Sequence, residues 1–219
     1  FAREHEVAVV CGTLPFSAPD PRKVTNSCLV IGPSGATLAR YDKMHLFDVA
    51  VDEANTFCES ARVTPGEQVV TVELFGHTMG LSICYDLRFP ELYRALTLRG
   101  AEVLFVPAAF THETGRVHWE VLLRARAIEN LSYVVAPAQW GEHGAGRQSW
   151  GHTTIIGPWG DVLAELPAGE GTIVHDLDFG RVAEARRRIP SLSNMRLGAI
   201  ASLPSANSRA DHTSPAEQT

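Results

Sequence analysis

Gly80–Leu92, GLSICYDLRFPEL, decides how the chain is read. An apolar run ends at Cys84, and Asp86, Arg88 and Pro90 follow at once. A short apolar run closing on a turn reads as a buried strand. Pro90 suits the first turn of a helix, where its missing N–H costs nothing. Phe89, Leu92, Tyr93 and Leu96 recur at helical spacing, so 88–99 is expected to be an amphipathic helix. Cys84 therefore stands where strand turns into helix. Alone, it reads as a packing residue, because free cysteine is among the most buried residue types. The other reading is a nucleophile aimed from the bend, with backbone N–H groups beside it for an oxyanion. On that reading the helix N-terminus lowers the thiol pKa.

Outward from this stretch the chain alternates short strands and helices. Val7–Leu14 and Ser27–Ile31 read as buried strands, and the turn 32–36 leads into TLARYDK as a hairpin. Residues 44–67 read as a long irregular stretch, and such loops are commonly functional. Val69–Leu74 and Thr78–Ile83 form a second expected hairpin. Further strands are expected at 101–110, 132–137, 152–157, 161–164 and 172–177, and further helices at 117–130 and 179–188. Gly141–Gly151 is glycine-rich but carries no phosphate-binding fingerprint, so it reads as a loop. From Ser202 the composition predicts a disordered tail, which gives one domain over 1–201 and a tail over 202–219. Strand–helix–strand order mixed with hairpins implies a mixed sheet, two sheets back to back with outer helices. The opening FAREHE, without an initiator Met, reads as the tail of a helix running into a strand, so a segment is expected upstream.

The chain has 219 residues, 45% hydrophobic, with a net charge of −6. The acidic balance and the lack of a basic block argue against nucleic acid. No apolar stretch approaches the roughly 20 residues that span a bilayer. Cysteines 11, 28, 58 and 84 lie far apart with no C-x-x-C, so neither a zinc site nor a disulfide framework is expected. Reduced thiols fit a cytoplasmic setting. Nine histidines are scattered without H-E-x-x-H, so no metal is expected. Lys43 and Glu59 read on their own as a solvated lysine and a solvated loop carboxylate.

Together, RYDKMHLFD, FCESARVTPGE, GLSICYDLRFPEL, PAAFTHETGRVHWEVLLRARAIEN and GHTTIIGPWGDVLA resemble the carbon–nitrogen hydrolase (nitrilase) superfamily, from the first residues to about Arg188. Within it the chain resembles the Nit1-type branch, which includes deaminated glutathione amidases, with ω-amidases as neighbours. The resemblance implies an α/β fold, a four-layer α-β-β-α sandwich, here truncated at its N-terminus. It implies Cys84 as nucleophile, Lys43 as oxyanion holder with the Tyr85 N–H, and Glu59 as the group that orients Lys43. Arg88, Phe110 and Thr114 match substrate-contacting positions, an Arg fork suiting the carboxylate of a 2-oxo acid. It implies a small-molecule amide substrate, no cofactor and a homodimer. The family's general-base Glu lies upstream of the strand matching Val7–Leu14, and Glu4 and Glu6 do not sit in its motif. The chain as given is therefore expected to show little amidase activity, with a non-catalytic scaffold as the competing reading and N-carbamoyl compounds as alternative substrates.

Overall fold

The computed structural model describes residues 1–50, 56–144 and 146–196; the expected tail lies outside them. A helical turn over 1–6, closed by the His5 N–H to the Phe1 carbonyl, precedes the first strand. Strands β1 (Val9–Ser17), β2 (Val24–Ile31) and β3 (Thr37–Asp42) make an antiparallel sheet in that order. The short strands β4 (Asp48–Ala50) and β5 (Thr56–Cys58) pair as a separate hairpin, followed by a 3₁₀ turn at Glu59–Ala61. The stretch 44–67, expected to be irregular, thus contains two short strands and a 3₁₀ turn.

Next come β6 (Thr71–Leu74) and β7 (His77–Leu81), joined by Phe75 and Gly76, which have φ of 54° and 80°. Positive φ at both central residues is the hairpin geometry that matches strand twist. A 3₁₀ turn at Cys84–Arg88 leads into α1 (Pro90–Leu98), with Pro90 in its first turn. Strand β8 (Val103–Phe105), α2 (His112–Asn130) and β9 (Tyr133–Ala136) complete two strand–helix–strand units. Strands β10 (Trp140–His143) and β11 (Arg147–Trp150) pair as a second separate hairpin. Finally come β12 (Thr153–Ile156), β13 (Val162–Leu166) and α3 (Phe179–Arg188).

The central sheet has the order β13-β12-β9-β8-β7-β6. Its middle is parallel (β7, β8, β9) and its flanks antiparallel. Buried residues from both large sheets, α1, α2 and α3 form one cluster, running from Val30 and Tyr41 through Leu81 and Leu104 to Trp119 and Val182. The mixed α/β sandwich is the expected architecture. Helix α3 crosses the N-terminal ends of the parallel strands. Phe179 stacks on His77 at 3.4 Å, and Arg186 donates to the Ala101 carbonyl at 2.7 Å. That leaves the C-terminal ends of β7, β8 and β9 open, which is where α/β sheets bind ligands.

Several expectations need correcting. The glycine-rich 141–151 is no loop but the β10–β11 hairpin, with Trp140 opposite Trp150 and Gly141 opposite Ser149. Residues 172–177 form no strand: no neighbouring edge takes the segment as a partner, and Val174 is exposed. Helix α2 starts five residues earlier than its apolar pattern. Its polar first turn has no apolar face to betray it, and the Gly115 N–H bonds back to the Thr111 carbonyl at 2.8 Å. The apolar run 101–110 contributes three residues to a strand, after which Pro107 prevents continuous pairing.

Candidate active site

Past its C-terminal end, β7 continues through Ser82 and Ile83 into the 3₁₀ turn that carries Cys84. The Cys84 N–H bonds the Pro107 carbonyl at 3.0 Å, which ties the bend to the residues after β8. Cys84 has φ 49°, a left-handed conformation that a side-chain-bearing residue adopts at a cost of about 1–2 kcal/mol. The sharp bend expected of an aimed nucleophile is therefore present. Tyr85, next in the turn, occupies a helix-start position, where N–H groups have no acceptor within the turn.

Lys43 follows β3 directly. Its N–H donates to the Asn26 carbonyl and its carbonyl accepts from the Gly66 N–H. Only 3% of its side chain is exposed, against the sequence-based expectation of a solvated lysine. Such a cation needs a partner, and Glu59 supplies it: Lys43 Nζ lies 2.5 Å from Glu59 Oε2. The same carboxylate accepts the Phe47 N–H at 2.6 Å and Asn26 Nδ2 at 3.3 Å. Glu59 is thus held by three groups on two segments, Asn26 of β2 and the Lys43–Phe47 stretch after β3, and Lys43 is held by Glu59.

Cys84, Lys43 and Glu59 line one cavity of about 1280 Å³ at the open end of the parallel strands. Tyr85, Phe110 and Thr114 line it too. Arg88 does not: its guanidinium lies over the rings of Phe110 and Tyr85, at 5.4 and 5.8 Å, and beside His118. Gly12 of β1 lines the cavity as well, against Pro107. A Cβ there would lie 2.3 Å from the Pro107 side chain, so only glycine lets the two sheets approach this closely.

The thiol pKa of Cys84 is raised, not lowered. Burial dominates, and Glu59 and Asp86 add to it. Lys43 and the Ala109 N–H pull the other way without overcoming it. The expectation of a helix-activated thiolate fails because burial outweighs every group that favours the charged form, although α1 begins at Pro90 as its spacing predicts. At neutral pH the resting group is a thiol, and attack requires a proton acceptor. The Cys28 thiol is pushed up to about 12 by burial and by nearby Cys11, which leaves it inert.

Sequence reading missed the two hairpins that form the cavity mouth. Phe57, Cys58, His143, Arg147 and Gln148 line it, and Arg147 stands 5.4 Å over the Phe57 ring, joining one hairpin to the other. Behind them, Trp150 stacks on His152 at 4.4 Å and meets the edge of His112 at 5.0 Å. Lys43, Arg62 and Arg147 face the cavity with the carboxylates of Glu59 and Glu113. Neither Arg62 nor Arg147 has a carboxylate partner among the described residues. In a chain of net charge −6, this is a local excess of positive charge among the described residues. Among the described residues no cluster of ligating side chains suits a metal ion, and no helix is long and apolar enough to cross a membrane.

The carbon–nitrogen hydrolase family matches residues 1–187. A deaminated glutathione amidase of Synechocystis sp. PCC 6803 is 48% identical over 197 residues, covering 88% of this chain and 72% of that protein. Human omega-amidase NIT2 is 39% identical over 195 residues, covering 89% and 70%. Among solved structures, the C. elegans NitFhit protein is 40% identical with a TM-score of 0.80; the alignment covers 89% of this chain and 48% of that one. The chain therefore spans about half of that protein and roughly seven-tenths of the other two.

Proposed function

We propose that this chain, which belongs to the carbon–nitrogen hydrolase family, is a Nit1-type amidase that cleaves a small anionic ω-amide of a 2-oxo acid, such as deaminated glutathione. The observation that carries this reading is the convergence of Cys84, Lys43 and Glu59 on one cavity, from three segments far apart in sequence.

The chemistry follows from the residue types. The Cys84 thiol passes its proton to a general base as its sulfur attacks the amide carbon, forming a C–S bond and pushing an electron pair onto the carbonyl oxygen. The base later hands that proton to the leaving group. The Lys43 ammonium, kept in place by Glu59, and the Tyr85 N–H stabilise that oxyanion. Collapse breaks the C–N bond, and the amine or ammonia leaves with the proton the thiol gave up. Water then hydrolyses the thioester, returning the thiol and a carboxylic acid. Arg62 and Arg147, without carboxylate partners among the described residues, favour an anionic substrate. Phe110 and Thr114 contact the acyl portion, with Arg88 backing the Phe110 ring. Reduced cysteines fit a cytosolic setting. Exposed Val117 and Val121 on α2 suit burial in a homodimer, which sedimentation equilibrium at micromolar protein checks by a doubled mass.

Ammonia release from 2-oxoglutaramate and amine release from deaminated glutathione test the reading. Cys84→Ala is expected to abolish both; turnover by the variant equal to that of the parent would sink the assignment. A second reading, a chain impaired in turnover, is favoured by one observation. Among the described residues no carboxylate is hydrogen-bonded to the Cys84 thiol, and Glu59 is committed to Lys43, Phe47 and Asn26. That reading predicts slow or absent multiple turnover with the cavity and its binding intact.

A further inference from the structure

Asp86 is a buried carboxylate that the chemistry above does not use. It is 0% exposed and carries four hydrogen bonds, two on each oxygen. Oδ2 accepts the Tyr41 hydroxyl at 2.7 Å and the Ile83 N–H at 2.8 Å. Oδ1 accepts the His45 N–H at 3.1 Å and lies 2.7 Å from His45 Nδ1. Three of these bonds go to residues two before and two after Lys43, and the fourth to the residue before Cys84. The lysine and the cysteine are each flanked by residues tied to the same carboxylate. We propose that Asp86 is a positioning residue: it locks the turn bearing Cys84 and the strand end bearing Lys43 into one rigid unit. This rests on the reading of Cys84 as nucleophile.

The partner groups explain why the residue is an aspartate. Ile83 and His45 offer backbone donors, and an acceptor-only oxygen requires the Nδ1 of His45 to carry its hydrogen. Tyr41 is held as a donor as well, because burial and the neighbouring Asp86 charge both push its hydroxyl pKa far up. An asparagine of the same shape would turn its NH₂ towards one of the two donor pairs and leave those donors unsatisfied. His45 is further clamped by stacking on Phe89 at 3.7 Å, so the unit extends to the entry of α1. Holding Cys84 at positive φ requires such over-determined surroundings. The charge has a second effect. Of the groups acting on the thiol, Lys43 favours the thiolate, whereas Glu59 and Asp86 oppose it.

The test separates position from charge. In Asp86→Asn, kcat for the ω-amide is expected to fall about tenfold to hundredfold, with KM changed less than about threefold. In the same variant the pH midpoint of Cys84 alkylation by iodoacetamide is expected to move down, because a negative charge beside the thiolate is gone. Asp86→Glu keeps the charge and moves the oxygens, so kcat falls without that downward shift. Tyr41→Phe, which removes one donor, keeps the proposal testable if Asp86→Asn does not fold; a several-fold loss of kcat is expected. Wild-type kcat in the variants that fold, or a loss of kcat in Asp86→Asn with an unmoved midpoint, overturns the proposal. A parent chain that hydrolyses no ω-amide counts against the functional reading instead. In that case hydrogen exchange of the Cys84 and Lys43 amides, which bond the Pro107 and Asn26 carbonyls, decides on Asp86: faster exchange at both in Asp86→Asn supports it and unchanged exchange overturns it.

Discussion

At the scale of single residues, the site depends on burial set against charge. Cys84 has its thiol pKa raised chiefly by burial, so it stays protonated through the range near 8.5 where an ordinary thiol ionises. Alkylation of Cys84 is therefore expected to be slow at pH 7 and to climb as pH rises past that range, whereas exposed Cys58 reacts at ordinary rates. Peptide mapping after iodoacetamide treatment from pH 6 to 10 checks this; faster labelling of Cys84 than of Cys58 at pH 7 would contradict it. The sign for stability follows. A raised folded-state value stabilises the fold fully below the unfolded thiol pKa, and that contribution is lost as pH climbs through the raised value. Cys84 could be found in the sequence because a strand ran into it and Pro90 followed. Lys43 and Glu59 could not be found from the residues alone. Nothing local distinguishes a buried lysine from a solvated one until its partner, 16 positions away, is known. Asp86 was invisible for the same reason, since its donors come from residues 41 and 45.

Among the elements, α2 and the β10–β11 hairpin show where local pattern stops being informative. The apolar spacing that marks α2 begins at Val117, yet the helix starts at His112 and packs Gly115 against Trp150. A Cβ at 115 would stand 2.3 Å from the Trp150 Cβ. Gly115→Ala is thus expected to destabilise the protein by about 1–3 kcal/mol despite the better helix propensity of alanine, because backbone must shift. Thermal denaturation checks it; an unchanged or higher Tm would show that the hairpin yields freely. The hairpin itself was hidden by its glycines, which signal loops when read without a partner strand. Gly141 and Gly146 both have positive φ, and the intervening strand residues are too few for alternation to show. The central strands and α1 and α3 were legible because each carries a continuous apolar face and a clear stop.

Over the whole molecule, charge distribution matters more than net charge. A chain of −6 places Arg62 and Arg147, without carboxylate partners among the described residues, on the wall of its main cavity. Raising ionic strength from about 0.01 to about 0.15 M shortens the screening length from roughly 30 to 8 Å. KM for an anionic ω-amide is therefore expected to rise several-fold over that range, with little change for a neutral amide; parallel behaviour of the two substrates would remove the electrostatic argument. The layered sheets were readable from the order of strands and helices. The cavity mouth was not, because β4–β5 and β10–β11 belong to neither large sheet. That separation has an evolutionary consequence. Cys84 and Lys43 hang from the ends of the two large sheets, whose register cannot drift without losing the core, whereas Phe57 and Arg147 ride on two small hairpins and form a cation–π contact between them. Descendants of such a chain can alter which amide they admit by mutating the hairpins, while inheriting the bond-breaking apparatus unchanged.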